Sequence, residues 1–166
     1  MKAIIGIDPG LKSTGFGIIK YKDKNSNHVS HGVIKTDSNL DMGMRLVQIY
    51  RGIEKIIDKY NPEEAGIEDI FFAKNLKSAI PVAQAKGVIM FLLAEKGIKT
   101  YSYTPLEVKR AVTGNGRATK YQIQEIIRII LHLPNIPRPD HAADALAVAI
   151  CHVHLSEIRN LLNSCS

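Results

Sequence analysis

The sequence predicts an α/β fold, a mixed five-stranded sheet flanked by helices, and three observations predict it. Three consecutive segments near the N-terminus read as strands. The apolar period then switches to that of a helix, and from there strands and helices alternate. The 166 residues are 45% hydrophobic and 23% charged, close to the globular average, so wholesale disorder is excluded. A chain near 150 residues buries roughly 68–70% of its unfolded surface, enough for a proper core. With no repeat and no Pro/Gly/Ser-rich linker, one domain is expected over residues 1–166.

The elements follow in order. Residues 2–8 form an apolar run ending at Asp8, and Pro9-Gly10 forces a turn. Residues 14–21 and 29–36 are rich in Ile, Val and Thr, joined by a polar stretch from Lys22 to Asn27 that reads as a hairpin loop. Leu46, Ile49, Tyr50, Ile53, Ile56, Ile57 and Tyr60 then repeat at helical spacing, and the helix stops before Asn61-Pro62. Ala65 to Ile70 reads as a short strand with Glu68 in its interior. A long helix is expected from about Asn75 to Lys96, with Pro81 kinking or displacing its start, and Ile98 to Tyr103 returns as a strand. Thr104-Pro105-Leu106-Glu107 is a capping box with Pro at the first helical position. Thr119 to Gln122 repeats the box for a helix to about His132. The final helix opens near Asp140 and runs past Leu155, with a loose tail expected after about residue 155. Periodicity does not give the strand order.

Composition narrows the function. Cys151 and Cys165 cannot build a disulfide framework, so a reducing, cytoplasmic setting is expected. The N-terminus meets an acid at position 8, too early for a signal peptide, and Gln84, Lys86 or Asp144 break the longest apolar stretches below the ~18 residues of a membrane span. The net charge of +6 is uneven. Residues 1–70 balance at zero, residues 71–140 carry eleven basic against four acidic side chains, and residues 141–166 carry one against two. A segment at +7 points to an anionic partner.

The residues able to do chemistry sit where elements end. Asp8 closes the first strand, where it could equally be a turn aspartate. Glu68 lies in an apolar strand pattern, where an unpaired acid is costly to bury. His141 and Asp144 share one helix face among Ala142, Ala143, Ala145 and Ala147. Asp140 follows Pro139 at the expected N-cap, so capping is preferred to ligation there. Asp144, inside the helix, has no such structural reason. His28, His31, His132, His152 and His154 read as surface or packing residues. Three carboxylates and an imidazole from distant segments suit divalent cations. Two such ions roughly 3.5–4 Å apart would activate a water for phosphodiester hydrolysis. A different reading comes from Gly6 to Gly10 with Ser13-Thr14-Gly15, which resembles the phosphate hairpin of actin-like ATP-binding domains. Those need a second such domain, for which 166 residues leave no room.

Taken together, Gly6-Ile7-Asp8-Pro9-Gly10 with Thr14-Gly15, Ile67-Glu68 with Phe71 and Lys74-Asn75, Gln84 to Gly87, and His141 to Ala147 resemble the RuvC-type Holliday junction resolvases. These are bacterial endonucleases of the RNase H-like superfamily, and the resemblance runs from Ala3 to about His154. It implies an RNase H-like mixed five-stranded sheet, a homodimer, and Mg²⁺-dependent paired nicking of four-way junction DNA in recombination and repair. It also implies work beside a RuvAB-type branch-migration complex. The family's metal-ligating and catalytic roles fall on Asp8, Glu68, His141 and Asp144, with two ions per site. DNA contacts fall on Phe71, beside Phe72, and on Lys109 and Lys120, and Lys74 and Arg117 of the basic segment are further DNA-binding candidates. Most members carry Asp where this chain has His141. An imidazole suits Mn²⁺ better than Mg²⁺, or could act as a general acid or base, and Asp140 next to it could take its place at the metal. A junction-binding protein without nuclease activity is the competing class, and the acids facing DNA argue against it. The apolar helix from about Asn75 to Ala94, with Val88 to Leu93, is the expected dimer face.

Overall fold

Five strands join in the order β3-β2-β1-β4-β5. They are β1 (Lys2–Asp8), β2 (Ser13–Lys22), β3 (Asn25–Lys35), β4 (Glu64–Glu68) and β5 (Lys99–Tyr103). The helices are α1 (Met42–Tyr60), α2 (Leu76–Glu95), α3 (Pro105–Thr113), α4 (Lys120–Ile130) and α5 (Asp140–Ser164). These come from a computed structural model that describes residues 1–69 and 76–164. The first three strands are antiparallel neighbours, whereas β4 and β5 run parallel to β1, so the sheet is mixed as expected.

The hairpin is tighter than its polar sequence suggests. Only Asp23 and Lys24 turn, both at positive φ (51° and 64°), the geometry of a two-residue type I′ turn. The flanking Asn25 and Asn27 join the β3 ladder.

Alternation along β1 and β4 sorts the sheet into two faces. Ile5 and Ile7, with Ala65 and Ile67, meet α1 and α2 through Ile49, Ile53, Ile57, Ile89, Leu92 and Leu93. Each buried Ile or Leu among them stabilises the fold by about 1.5–3 kcal/mol. Ile4 and Ile19 face the other way, onto α5 through Leu146, Val148 and Ile150, with α3 and α4 joining that layer through Val108, Val112 and Ile127. Gly6 and Asp8 share this second face with Ile4, as Gly66 and Glu68 do on β4. Both acids therefore point to the α5 side.

Caps set the helix boundaries. Asp41 accepts from Met44 N–H at the start of α1, and Asn61 closes it in the left-handed region before Pro62. The capping boxes at Thr104 and Thr119 are both formed. Pro81 lies inside α2, whose first residue is Leu76. By length and composition Lys77–Glu95 could cross a membrane, with mean hydropathy 1.3. Its Ala85, Ile89, Leu92 and Leu93 fill the sheet core instead, and Lys86 pairs with Asp69 at 2.5 Å. Helix α5 continues past Leu155 to Ser164, and Arg159 donates to the Tyr103 hydroxyl.

Candidate active site

The strand order reverses between β1 and β4, and the carboxyl ends of two parallel neighbours at such a switch open a crevice. Ile7 is in register with Ile67, which sets Asp8 beside Glu68 at that crevice. Strand β4 stops at Glu68 rather than running to Ile70, so Glu68 ends its strand instead of sitting inside it.

Helix α5 brings the remaining two residues. It lies directly on the sheet because glycines face it. A Cβ on Gly6 would fall 2.0 Å from the Ala145 carbonyl oxygen, and one on Gly15 would fall 1.9 Å from that of His141. The alanines of α5 complete the fit, with Ala142, Ala143 and Ala145 fully buried. This close approach lowers His141 and Asp144 onto the strand ends. One ligand atom from each of Asp8, His141 and Asp144 lies within 4.8 Å of the others. His141 Nδ1 donates to Asp8 Oδ2 at 2.7 Å.

Glu68 completes the cluster through a hydrogen bond with Asp8. Burial, and then the charge of Asp8 and that hydrogen bond, push its carboxyl up to about 8. Burial also raises Asp144, reinforced by Asp8 and opposed by Lys120. A carboxyl pushed up to about 8 among other carboxylates, with only Lys120 opposing, is short of positive charge. A donor set of carboxylates and one imidazole is suited to a divalent cation, so the residues fit the metal that the sequence pattern implies.

Asp140 does not fill the expected N-cap. The Pro139 carbonyl accepts the first helical bonds, from Ala142 and Ala143, so Asp140 is the first helical residue and its side chain is free for other partners. Its Oδ1 accepts from Arg138 Nη1 at 2.6 Å and from buried Gln124 Nε2 at 3.2 Å, and its Oδ2 lies 3.3 Å from Lys120 Nζ. Lys120 also reaches Asp144 Oδ2 at 3.3 Å. The hydrogen bond from Lys120 holds Asp140 below the usual carboxylate range.

The other basic residues stand apart from the acids. Lys109 lines a cavity of about 450 Å³ with Thr104, Pro105, Leu106 and Gly116. Arg117 is exposed on the turn between α3 and α4, its backbone N–H bonded to Asn115. Among the described residues neither makes an ion pair. Phe71, Phe72 and Lys74 lie outside the described residues. Of the remaining histidines, His152 is fully buried and joins Glu64 at 2.7 Å to the Tyr103 hydroxyl at 2.8 Å, and His28 bonds His31 at 2.7 Å. Sequence reading missed the Asp140–Gln124–Arg138 cluster and the Lys86–Asp69 pair. Gln124 carried a signal, being polar on the stripe of Ile123, Ile127 and Leu131.

Acids converging at the carboxyl ends of the central strands of an RNase H-like sheet define a nuclease of that class. A family model described as crossover junction endodeoxyribonuclease RuvC matches residues 4–152, and the chain belongs to that family. The RuvC of Clostridioides difficile is 45% identical over 97% of this chain and 95% of its own. That of Thermotoga maritima is 46% identical over 95% and 94%. Among solved structures, Thermus thermophilus RuvC in complex with a Holliday junction substrate aligns with TM-score 0.91 and 31% identity, over 95% of this chain and 96% of that one. The yeast mitochondrial Holliday junction resolvase Ydc2 (TM-score 0.70, 16% identity, over 99% of this chain and 85% of that one) shares the fold.

Proposed function

We propose that this chain resolves four-way DNA junctions by symmetric, paired nicks through metal-dependent phosphodiester hydrolysis. The convergence of Asp8, Glu68, His141 and Asp144 at one crevice carries this reading. These four side chains would hold Mg²⁺ or Mn²⁺, with two ions per site in keeping with four ligands. A bound ion would supply Lewis-acid charge and a water deprotonated near neutral pH. The chain's own residues do the rest. Glu68 gives up its proton when the crevice takes up positive charge. His141 ties its ring to Asp8 and keeps that carboxylate aimed into the crevice. Lys120 stands at the rim, where a scissile phosphate would enter, and Lys109 and Arg117, which make no ion pair among the described residues, would be further DNA contacts. Phe71, Phe72 and Lys74 follow β4 in sequence, which supports a DNA contact next to Glu68. Hydrolysis forms a bond from water oxygen to phosphorus and breaks the bond to O3′. The products are a 5′-phosphate and a protonated 3′-hydroxyl.

A junction is roughly two-fold symmetric, so a two-fold dimer can place one site at each of two opposed strands. Helix α2 supports a dimer. Ile80 and Phe91 are 57% and 65% exposed, Gly87 faces open space, and all three fall on one helix face. Family membership supports cooperation with a RuvAB-type branch-migration complex, and a DNA substrate supports a cytoplasmic site of action.

The test is nicking of a synthetic four-way junction in Mg²⁺ and in Mn²⁺. Wild type should cut symmetrically, and Asp8→Asn should bind the junction without cutting. A wild-type protein that binds junctions but never nicks them in either metal would be a binding module, and the enzymatic reading would fall.

A further inference from the structure

Lys120 is shared by two carboxylates of different kinds. Asp144 belongs to the crevice, with its ligand atom among those of Asp8 and His141. Asp140 does not converge there and stands outside it, on the first turn of α5. The ammonium is 3.3 Å from each. Asp140 is the better anchored of the two partners. Its Oδ1 is taken by Arg138 and by Gln124, which is 4% exposed, and this leaves Oδ2 turned toward Lys120. The base of the lysine is fixed as well, because Lys120 is the first residue of α4 and the Thr119 capping box sets where that helix begins.

A divalent cation and an ammonium compete for Asp144. When the cation wins, the two positive charges repel, and a lysine on a flexible four-carbon stem would drift into solvent unless something else holds it. We infer that Asp140 is a positioning residue that retains Lys120 at the rim of the site once Asp144 is taken by metal, so that the ammonium is presented to the entering phosphate. This rests on the reading of Lys120 as a phosphate contact. It gives Asp140 a role that is neither helix cap nor metal ligand. It also makes Asp140 a relief for the metal: with Asp140 neutralised, Lys120 is left with Asp144 as its only ion-paired carboxylate among the described residues and obstructs loading.

A double-mutant cycle separates these roles. The full-length protein is compared with Asp140→Asn, Lys120→Met and the pair. One readout is single-turnover nicking of a synthetic four-way junction. The other is Mn²⁺ affinity, measured by electron paramagnetic resonance without DNA. Lys120→Met should slow nicking. Asp140→Asn should slow nicking by about tenfold and weaken Mn²⁺ binding by about threefold. Neither effect of Asp140→Asn should persist in the Lys120→Met background, and Asp140→Glu should recover most of both. Equal losses from Asp140→Asn with and without Lys120 would overturn the positioning role, since Asp140 would then act on the metal directly. Wild-type nicking by Lys120→Met would instead overturn the phosphate-contact reading, and this inference with it.

Discussion

His141 donates from Nδ1 to Asp8 Oδ2 across 2.7 Å, joining residues 133 positions apart in the chain. The contact puts an imidazole, at a position where the resemblance implies Asp in most members and His in a minority, on the same acid that bonds Glu68. An imidazole is a weaker ligand for Mg²⁺ than for Mn²⁺. His141→Asp should therefore raise the ratio of nicking rates in Mg²⁺ over Mn²⁺, by about tenfold on the scale of ligand-shell changes. An unchanged ratio would show that His141 does not set metal choice.

The site depends on how closely α5 lies on the sheet. A Cβ at residue 15 would meet the His141 carbonyl oxygen at 1.9 Å, a backbone atom that cannot swing aside. Gly15→Ala should push the start of α5 away, at a cost of about 2 kcal/mol. For a chain of this size that is a fall of roughly 4–8 °C in melting temperature. Because His141 and Asp144 move with the helix, nicking should fall far more than the melt implies. A variant that melts lower but cuts at the wild-type rate would show that the approach serves packing alone.

Glu68 ties stability to pH in the metal-free protein. In the fold it holds a proton up to about 8, whereas an unfolded glutamate releases it near 4.5. Between those values the folded state binds more protons, so stability falls as pH rises. Glu68→Gln removes the effect. In the presence of a chelator, the wild-type melting temperature should drop relative to Glu68→Gln as pH goes from 5 to 8. Divalent binding should release a proton and tighten over the same range. Parallel melting curves for the two proteins would refute the assignment.

Much of this fold was legible because β1 and the core of β4 are buried on both sides and read as apolar runs, and because Thr104 and Thr119 announce their helices. Asp144 stood out as an aspartate inside a helix of alanines, and Asp8 as the acid closing a strand. The strand order was not legible, since periodicity says which face is apolar but not which edges pair. Asp140 misled for a related reason. An aspartate after proline at a helix start looks the same whether it caps its own backbone or binds a lysine on another helix. The buried His152–Glu64 link was hidden likewise, because its partners are 88 positions apart.

The basic segment between Glu68 and His141 should govern the salt dependence of junction binding. For every phosphate the protein no longer neutralises, the slope of log affinity against log salt falls by about 0.9. Arg117→Glu and Lys109→Glu should each flatten the slope by about that much, measured between roughly 50 and 200 mM salt. Asp8→Asn should leave it unchanged. A slope insensitive to both reversals would place the DNA elsewhere.

Phe91 offers the most direct test of the proposed dimer. At 65% exposure it contributes little to the monomer core, while Ile89, Leu92 and Leu93 on the same helix are fully buried. Phe91→Asp should therefore shift the melting temperature of the monomer by no more than about 2 °C. In a dimer sealed by α2 the same change buries a charge against an apolar surface, and sedimentation should show dissociation. The two nicks would then lose their coupling. Each strand of a four-way junction would still be cut in its turn, but singly nicked junctions should accumulate before resolution, whereas wild type should pass from intact junction to paired nicks with little intermediate. If Phe91→Asp sediments as wild type and nicks in pairs, α2 is not the face that a second copy uses.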